Sequence, residues 1–464
     1  MGEIYYKVIN QEYSKKISEC SSGIIVKVKD KPILKVEIPD LTLKEEKLFE
    51  SALEELTHSG LDLKGKGDIY FFLKNYCIEN LILLGKESRE KILLLLEWET
   101  IRESILTPLL KDPDFEEIVI NGANKPIMVY HRIFGWLASN CYFTQDQKIK
   151  TILNKMASEL GRQLSYSNPI LDTVLSDGSR LNASMDPIAF SGINATIRKF
   201  KASPLTPKNI IELKTINEEA MSFLWLALQT SSSILVCGNT GSGKTTTLNS
   251  LFCFLPQNER IIVVEETPEI VLPQEHKVKL NTSQHIGVGL EKLIENTFRM
   301  RPDRVIVGEV RTPEECKGFV NTMLAGQAKG SYATFHAESA KEALQRMKSL
   351  GVEKESLCSI DLIIVQKRIQ RIRPNGNRKE ERKVTEICEI DKSGTVRELF
   401  SLDSSQKRLI FKNDSKRIKE KVMQTFLVNQ NEYKKLLLNR KNCLSKINSN
   451  TDFKSFFATA EANL

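Results

Sequence analysis

Several things this chain lacks narrow what it can be. Its 464 residues contain no apolar run of roughly the eighteen that a bilayer-crossing helix needs, and the most apolar stretch, 92–98, is far shorter. The opening MGEIYYKVINQEYSKK lacks the charged-then-apolar layout of a secretory leader. A soluble, cytoplasmic protein is the expectation. No two of the nine cysteines are spaced Cys-x-x-Cys, which argues against a zinc ribbon and leaves reduced thiols as the default. Cys237 reads as a small core residue. Internal repeats and low-complexity tracts are missing too. With 41% hydrophobic and 27% charged residues, the composition excludes wholesale disorder and suits a chain of several domains. A strong excess of one charge is also lacking over most of the length. The net charge of +8 resides almost wholly in 401–464, where 13 lysines and arginines face 6 acids. Such a segment is either a surface for acidic lipid or nucleic acid or a solvated helical extension.

What the chain does have is ILVCGNTGSGKTTTLNSL at 234–251. A β-branched apolar run leads into a glycine-rich turn, and a helical pattern follows. This is G-x-x-x-x-G-K-T, the phosphate-binding loop between a strand and a helix. Gly238, Asn239, Thr240, Gly241, Ser242 and Gly243 form the loop, whose backbone N–H groups can converge on phosphate oxygens at a positive helix end. Lys244 is placed to reach the β- and γ-phosphates, and Thr245 to offer its hydroxyl to Mg²⁺. Thr246 closes the set. A nucleoside triphosphate near Lys244 is the expectation.

The pattern around the loop divides the chain. Strand candidates 24–28 and 33–38 precede a capping box, Thr42-Leu-Lys-Glu45. Leu48, Phe49, Ala52, Leu53 and Leu56 then follow helical spacing. A second helical stretch runs over about 86–110, so 1–110 reads as a mainly helical module. Segment 111–200 reads as an α/β domain with strands at 117–121, 126–130, 136–138 and 193–200. A linker at 201–208 carries Pro204 and Pro207. In 209–400, strand candidates 234–236, 261–264, 305–307 and 332–334 alternate with helices, which predicts parallel βαβ units. Segments 361–373 and 382–390 flank Pro374-Asn-Gly-Asn377 as a hairpin. Segment 401–464 reads as a basic helical tail.

A phosphate loop alone hydrolyses nothing; it needs acids to hold metal and orient water, and positive charge for the transition state. Three clusters supply candidates. Glu265 and Glu266 end the apolar strand 261–264, where one carboxylate could polarise water and the other bind metal. Glu309 ends strand 305–307, the place of a metal-binding acid, with the unusual feature of a preceding Gly308. His336 follows the fourth strand and could donate a hydrogen bond to the γ-phosphate.

Together these clusters resemble one family, the secretion and pilus-assembly ATPases of type II and type IV systems. GNTGSGKTTTLN, VVEETPEI, RPDRVIVGEVR and GSYATFHAES stand in that family's order. Upstream, NPILDTVLSDGSRLNA and GINATIRKF are similar to its N-domain segments, and DPDFEEIVING with VYHRIFGWLASN is most similar to its archaeal branch, the archaellum and type IV pilus motors. The resemblance spans roughly 25–390. It implies an α/β chain: a RecA-like P-loop NTPase domain, a preceding smaller α/β (PAS-like) N-domain and a helical N-terminal extension. It implies an ATP hydrolase with Mg²⁺, held by Thr245, Glu309 and Glu266. It assigns water orientation to Glu265, and gives His336 the last place of the family's histidine box. Arg180 and Arg198 match arginines that reach the nucleotide of a neighbouring subunit. The implied assembly is a homohexamer at the inner face of the cell membrane, docked on a polytopic platform protein, with no specific nucleic acid as partner. A RecA-like nucleic-acid translocase is the alternative, and a weakly hydrolysing nucleotide-binding scaffold is a third reading. Four departures stand out: Glu266 where aspartate is usual, Gln327 where histidine is usual, Ser176 in Leu175-Ser-Asp-Gly178 where proline is usual, and Thr312 where glycine is usual.

Overall fold

The structure is a computed structural model that describes every residue except 1–5, 9–12, 14, 29–30, 159–160, 201–203, 284–286, 327, 373–377 and 464. The chain divides into two compact units, Met1–Phe200 and Lys201–Leu464.

The first unit is built on a nine-stranded sheet. Its central strands, Phe115–Asn121, Asn194–Arg198 and Arg180–Ser184, alternate buried and exposed residues, as expected of a sheet with one face against a core. Ile118, Ile120, Leu181, Ala183, Ala195 and Ile197 face that core, which the helix Asp146–Ser158 completes with Ile149, Ile152 and Leu153. Three strands from the segment expected to be mainly helical, Lys15–Cys20, Gly23–Val28 and Lys31–Val36, join the same sheet through a parallel pairing of Ile33 with Ala138. Ile25, Leu34 and Val36 are buried in the shared core, so burial ties them to the sheet. The helices Leu43–His58, Lys66–Glu79 and Lys86–Thr100 pack around a core of their own, with Phe49, Leu56, Leu73 and Leu96. Thr42 and Glu45 form the capping box read from the sequence: the Glu45 carboxylate accepts from the Thr42 N–H at 2.7 Å.

The second unit carries another nine-stranded sheet, in the order Lys277–Asn281, Ile261–Glu265, Arg304–Val310, Gly330–Phe335, Ile234–Cys237, Leu362–Ile372, Arg378–Ile390, Val396–Asp403 and Arg408–Phe411. The first six run parallel, and the last three continue as an antiparallel meander. Ile234, Val236, Ile261 and Val263 enter the core on one face, and Leu235, Cys237, Ile262 and Val264 the core on the other. Burial on both faces is why these strands read as continuous apolar runs. The edge strand Lys277–Asn281 went unread because KVKLN alternates charge with apolar residues, and lysines along an exposed edge discourage pairing with another chain. The hairpin strands Leu362–Ile372 and Arg378–Ile390 are present, while the turn assigned to Pro374-Asn-Gly-Asn377 lies outside the described residues.

The last segment is more than a solvated extension. Val396–Asp403 and Arg408–Phe411 extend the sheet, and the helices Lys416–Phe426, Gln430–Lys446 and Phe453–Glu461 bury Ile418, Val422, Tyr433, Leu444, Phe453 and Phe456 in the same core as the strands. Trp225 stacks on Phe254 with centroids 4.6 Å apart, Phe456 meets Phe254 edge-on at 6.1 Å, and the Arg440 guanidinium lies 5.2 Å over the Trp225 ring. Buried Asp361, at the start of the hairpin strand, accepts from the Ser233 N–H at 2.7 Å and pairs with Lys421 at 2.7 Å. That contact ties the C-terminal helices to the strand beside the phosphate loop.

Candidate nucleotide site

The strand Ile234–Cys237 is fully buried between two parallel neighbours, Gly330–Phe335 and Leu362–Ile372. Ligand sites of parallel sheets lie beyond the carboxyl ends of their strands, and the glycine-rich loop leaves this strand at that end. Gly243 caps the helix Lys244–Leu251 with φ of 94°, a conformation that strains any residue with a side chain. At Gly238 the constraint is space: a Cβ there would lie 2.2 Å from the Gln366 carbonyl oxygen.

Lys244 is buried and folds back over the loop. Its Nζ donates to the carbonyls of Gly238 at 3.2 Å and Asn239 at 3.4 Å. The same Nζ lies 3.6 Å from Glu309 Oε1, and His336 Nε2 lies 2.9 Å from that oxygen. Three residues far apart in sequence thus meet at the ends of three adjacent strands. Burial lowers the Lys244 pKa against the pull of Glu309. Burial and the Lys244 charge lower that of His336, so a neutral ring donating through Nε2 to an ionised Glu309 accounts for the short contact. Burial would raise Glu309, but the hydrogen bond and charge of Arg311, with Lys244 and His336, hold it below the usual carboxylate range. Arg346 fixes the end of the histidine strand by donating to the His336 carbonyl, its guanidinium 5.4 Å over Phe335.

The glycine before Glu309 sits in a bulge and close against a neighbouring acid. Val307 pairs with Ala333 but Val310 with Phe335, so the strand bulges at 308–309. The Gly308 carbonyl there accepts from the Thr334 hydroxyl at 2.7 Å. A Cβ on Gly308 would sit 3.1 Å from Glu265 Cγ, so the glycine makes room for the neighbouring acid. Glu265 is 1% exposed, and its Oε1 accepts from the N–H groups of Glu269 at 2.9 Å and Ile270 at 2.8 Å. Burial pushes its carboxyl up to about 7 despite those N–H groups, and its Oε2 has no hydrogen-bond partner among the described residues. Glu266 is exposed and bonded to Arg311 at 2.8 Å; Arg311 Nε also donates to Glu309 Oε2 at 2.8 Å.

Thr245 is half-buried, Ser242 buried, and Asn239, Thr240, Gly241 and Thr246 exposed along the loop and the first helical turn. A hydroxyl at Thr245 and one carboxylate at Glu309 are a donor set that suits Mg²⁺ carried in by phosphates, which keeps several waters and takes few protein ligands. Among the described residues no group of three or more acids, histidines or cysteines is arranged to hold a metal without a nucleotide. Of the departures, Thr312 caps the helix Pro313–Leu324, its hydroxyl accepting from the Glu315 N–H at 3.3 Å, and Gln327 lies outside the described residues.

Arg180 and Arg198 lie in the first unit, the phosphate loop in the second. The two arginines occupy directly opposed positions on adjacent antiparallel strands, so both project from one face, and both are exposed. Arg180 is bonded to Asp172 at 2.9 Å, and Arg198 stands opposite Glu117.

Gln366 and Arg382 are among the site residues not read from the sequence. Buried Gln366 donates from Nε2 to the Ser242 carbonyl at 2.8 Å and accepts from the Thr247 hydroxyl at 2.6 Å. Arg382, on the partner strand of the hairpin, donates to the Gly241 carbonyl at 3.0 Å. The available signal was a lone glutamine ending the apolar run 362–365, beside the loop's own strand.

The family model of the type II/IV secretion system protein matches residues 102–448, well over half of the chain. The chain belongs to this family. An uncharacterized family relative from Methanocaldococcus jannaschii, MJ0781, is 34% identical over 324 residues, covering 66% of this chain and 44% of its own length. A second protein of that archaeon, MJ0900, is 35% identical over 275 residues, covering 58% of this chain and 49% of its own. The chain thus spans about half the length of these archaeal relatives, which fit the family's archaeal branch. The type IV secretion system protein VirB11 of Bartonella quintana is 30% identical over 317 residues, covering 57% of this chain and 88% of VirB11.

Proposed function

We propose that this chain is an ATP hydrolase that works as the motor of a type IV pilus-like or archaellum filament, or of a related secretion machine. The observation that carries the reading is the meeting of Lys244, Glu309 and His336 at one carboxylate oxygen beside the phosphate loop. Lys244 binds the β- and γ-phosphates, while Thr245 and Glu309 would hold Mg²⁺, which would supply positive charge to the transferring phosphoryl group. Glu265, with a carboxyl near neutrality, orients and deprotonates the attacking water. His336 donates to the γ-phosphate as it separates. Kinship with VirB11, a type IV secretion system protein, supports a role in such a machine.

In the same reading the working form is a homohexamer at the cytoplasmic face of the membrane, docked on a polytopic platform protein. Arg180 and Arg198 of one subunit complete the site of the next, and turnover moves the 111–200 domain against the 209–400 domain. Membrane contact in this reading is peripheral, and no helix among the described residues is long and apolar enough to cross a membrane.

The test is phosphate release from ATP by the purified full chain. We expect Mg²⁺-dependent turnover that Lys244→Ala lowers by about a thousandfold. Intact turnover in that variant would sink the site assignment.

A further inference from the structure

Arg311 has no part in the turnover proposed above, yet it touches both acids at the mouth of the site. Its Nη1 bonds Glu266 Oε2 at 2.8 Å, and its Nε bonds Glu309 Oε2 at 2.8 Å, with Nη2 on the same oxygen. Its backbone is anchored, since the Arg311 N–H donates to Glu315 Oε2 at 2.7 Å. The side chain is not buried: Arg311 is 55% exposed and Glu266 47%, against 22% for Glu309. The arginine and its outer partner form the rim, and Glu309 lies inside it.

We propose that Arg311 and Glu266 form a counter-charge pair that sets how tightly Glu309 takes a divalent cation. The inference rests on the nucleotide reading of the site. Glu309 has two oxygens with different partners: Oε1 faces Lys244 and His336, and Oε2 faces Arg311. A divalent cation on Glu309 is brought within a few ångströms of a guanidinium, and like charges at that range repel strongly outside bulk water. Arg311 therefore competes with the cation. Glu266 pulls the other way, because it offers the guanidinium a second carboxylate on the solvent side. When the cation binds, Arg311 shifts its share of contact from Glu309 to Glu266, a swing that its exposure permits and that leaves its backbone in place. Glu266 then acts on the metal through Arg311 rather than as a ligand.

Two substitutions must move metal affinity in opposite directions. Full-length chain saturated with ADP is titrated with Mn²⁺, and free Mn²⁺ is read by electron paramagnetic resonance, independently of turnover. Arg311→Gln removes the competitor and should tighten Mn²⁺ about fivefold. Glu266→Gln strands Arg311 on Glu309 and should weaken Mn²⁺ by a similar factor. The double variant should match Arg311→Gln, since Glu266 acts only through the arginine. Misfolding cannot imitate a tightening, and Arg311→Lys, which keeps the charge, should stay near the unsubstituted chain. Shifts of the same sign, or a Glu266→Gln variant that binds Mn²⁺ unchanged or more tightly, overturn the proposal. If the unsubstituted chain takes up no Mn²⁺ with ADP, the nucleotide reading fails and the pair goes with it. If it does so, with Lys244→Ala abolishing uptake, flat responses at 311 and 266 refute the pair alone.

Discussion

The two large sheets of this chain place their charged groups by different rules. In the second unit the inner strands run parallel and are covered on both faces, so only their ends are open. Lys244, Glu265, Glu309 and His336 all stand at or just past such ends. In the first unit the sheet is mostly antiparallel and one face of its strands is exposed, so groups can project from that face. Arg180 and Arg198 do so at the end of their strand pair, opposite each other. A parallel sheet gathers chemistry by the order of its strands; an antiparallel one gathers it by register. The first survives insertion in a loop, while the second fails on a one-residue slip.

The comparison can be broken at four points. Covering both faces of the second sheet depends on the C-terminal helices, so Phe456→Ala should cost about 3–5 kcal/mol of stability, seen as a lower midpoint in denaturant. A shift within error would return those helices to the solvent. The register pair should matter to turnover and not to folding. Arg180→Ala and Arg198→Ala should each lower turnover of the assembled protein about a hundredfold with unchanged thermal unfolding. Full activity in both would remove the first sheet from the chemistry.

Glu265 tests the strand-end rule by its pH dependence. Its carboxyl titrates at about 7 in the fold, above its ordinary value of 4.5, so the native state binds the extra proton between those values. Stability should then fall as pH rises from about 4.5 to 7, by on the order of 3 kcal/mol, and level off above. Glu265→Gln should flatten that decline in urea titrations run across the range. The smallest expected effect is at the brace of the loop. Gln366→Met, close in volume, removes two hydrogen bonds to the loop and its helix and should weaken nucleotide binding by about 1–2 kcal/mol. Fluorescent ADP binding measures it, and Gln366→Glu, which keeps the acceptor to Thr247 but sets a buried carboxylate against the Ser242 carbonyl, should lose more.

Much of the second unit was legible. Its inner strands carry apolar runs because both faces are buried, and four of them were read from that pattern. The glycine turn carries its own geometry in its residues. The edge strand Lys277–Asn281 was not legible, since alternation of lysine with apolar residues over five positions is weak evidence by itself. The tail misled because its charges dominate its composition. Ile418 and Val422, then Tyr433 and Leu444, then Phe453 and Phe456 are few, and they lie on the faces turned to the core. The early strands were grouped with the helices because proximity in sequence stood in for a partner, and the partner of Ile33 is Ala138.

What the sequence determined by itself is whatever a short window encodes: the phosphate loop, its flanking strand and helix, the capping box at Thr42, and an acid at the end of each of two buried strands. Backbone conformation and burial pattern are local properties, and residue types report them. What only the tertiary structure decided is which of these local pieces touch. The bulge at Glu309, the space that Gly308 leaves for Glu265 and the bond from Gln366 to the loop depend on strands brought together across long stretches of chain, and the pairing of Arg180 with Arg198 depends on the register of two consecutive strands. Strand order and register are set by burying a whole sheet at once, and no window of the sequence contains that sum.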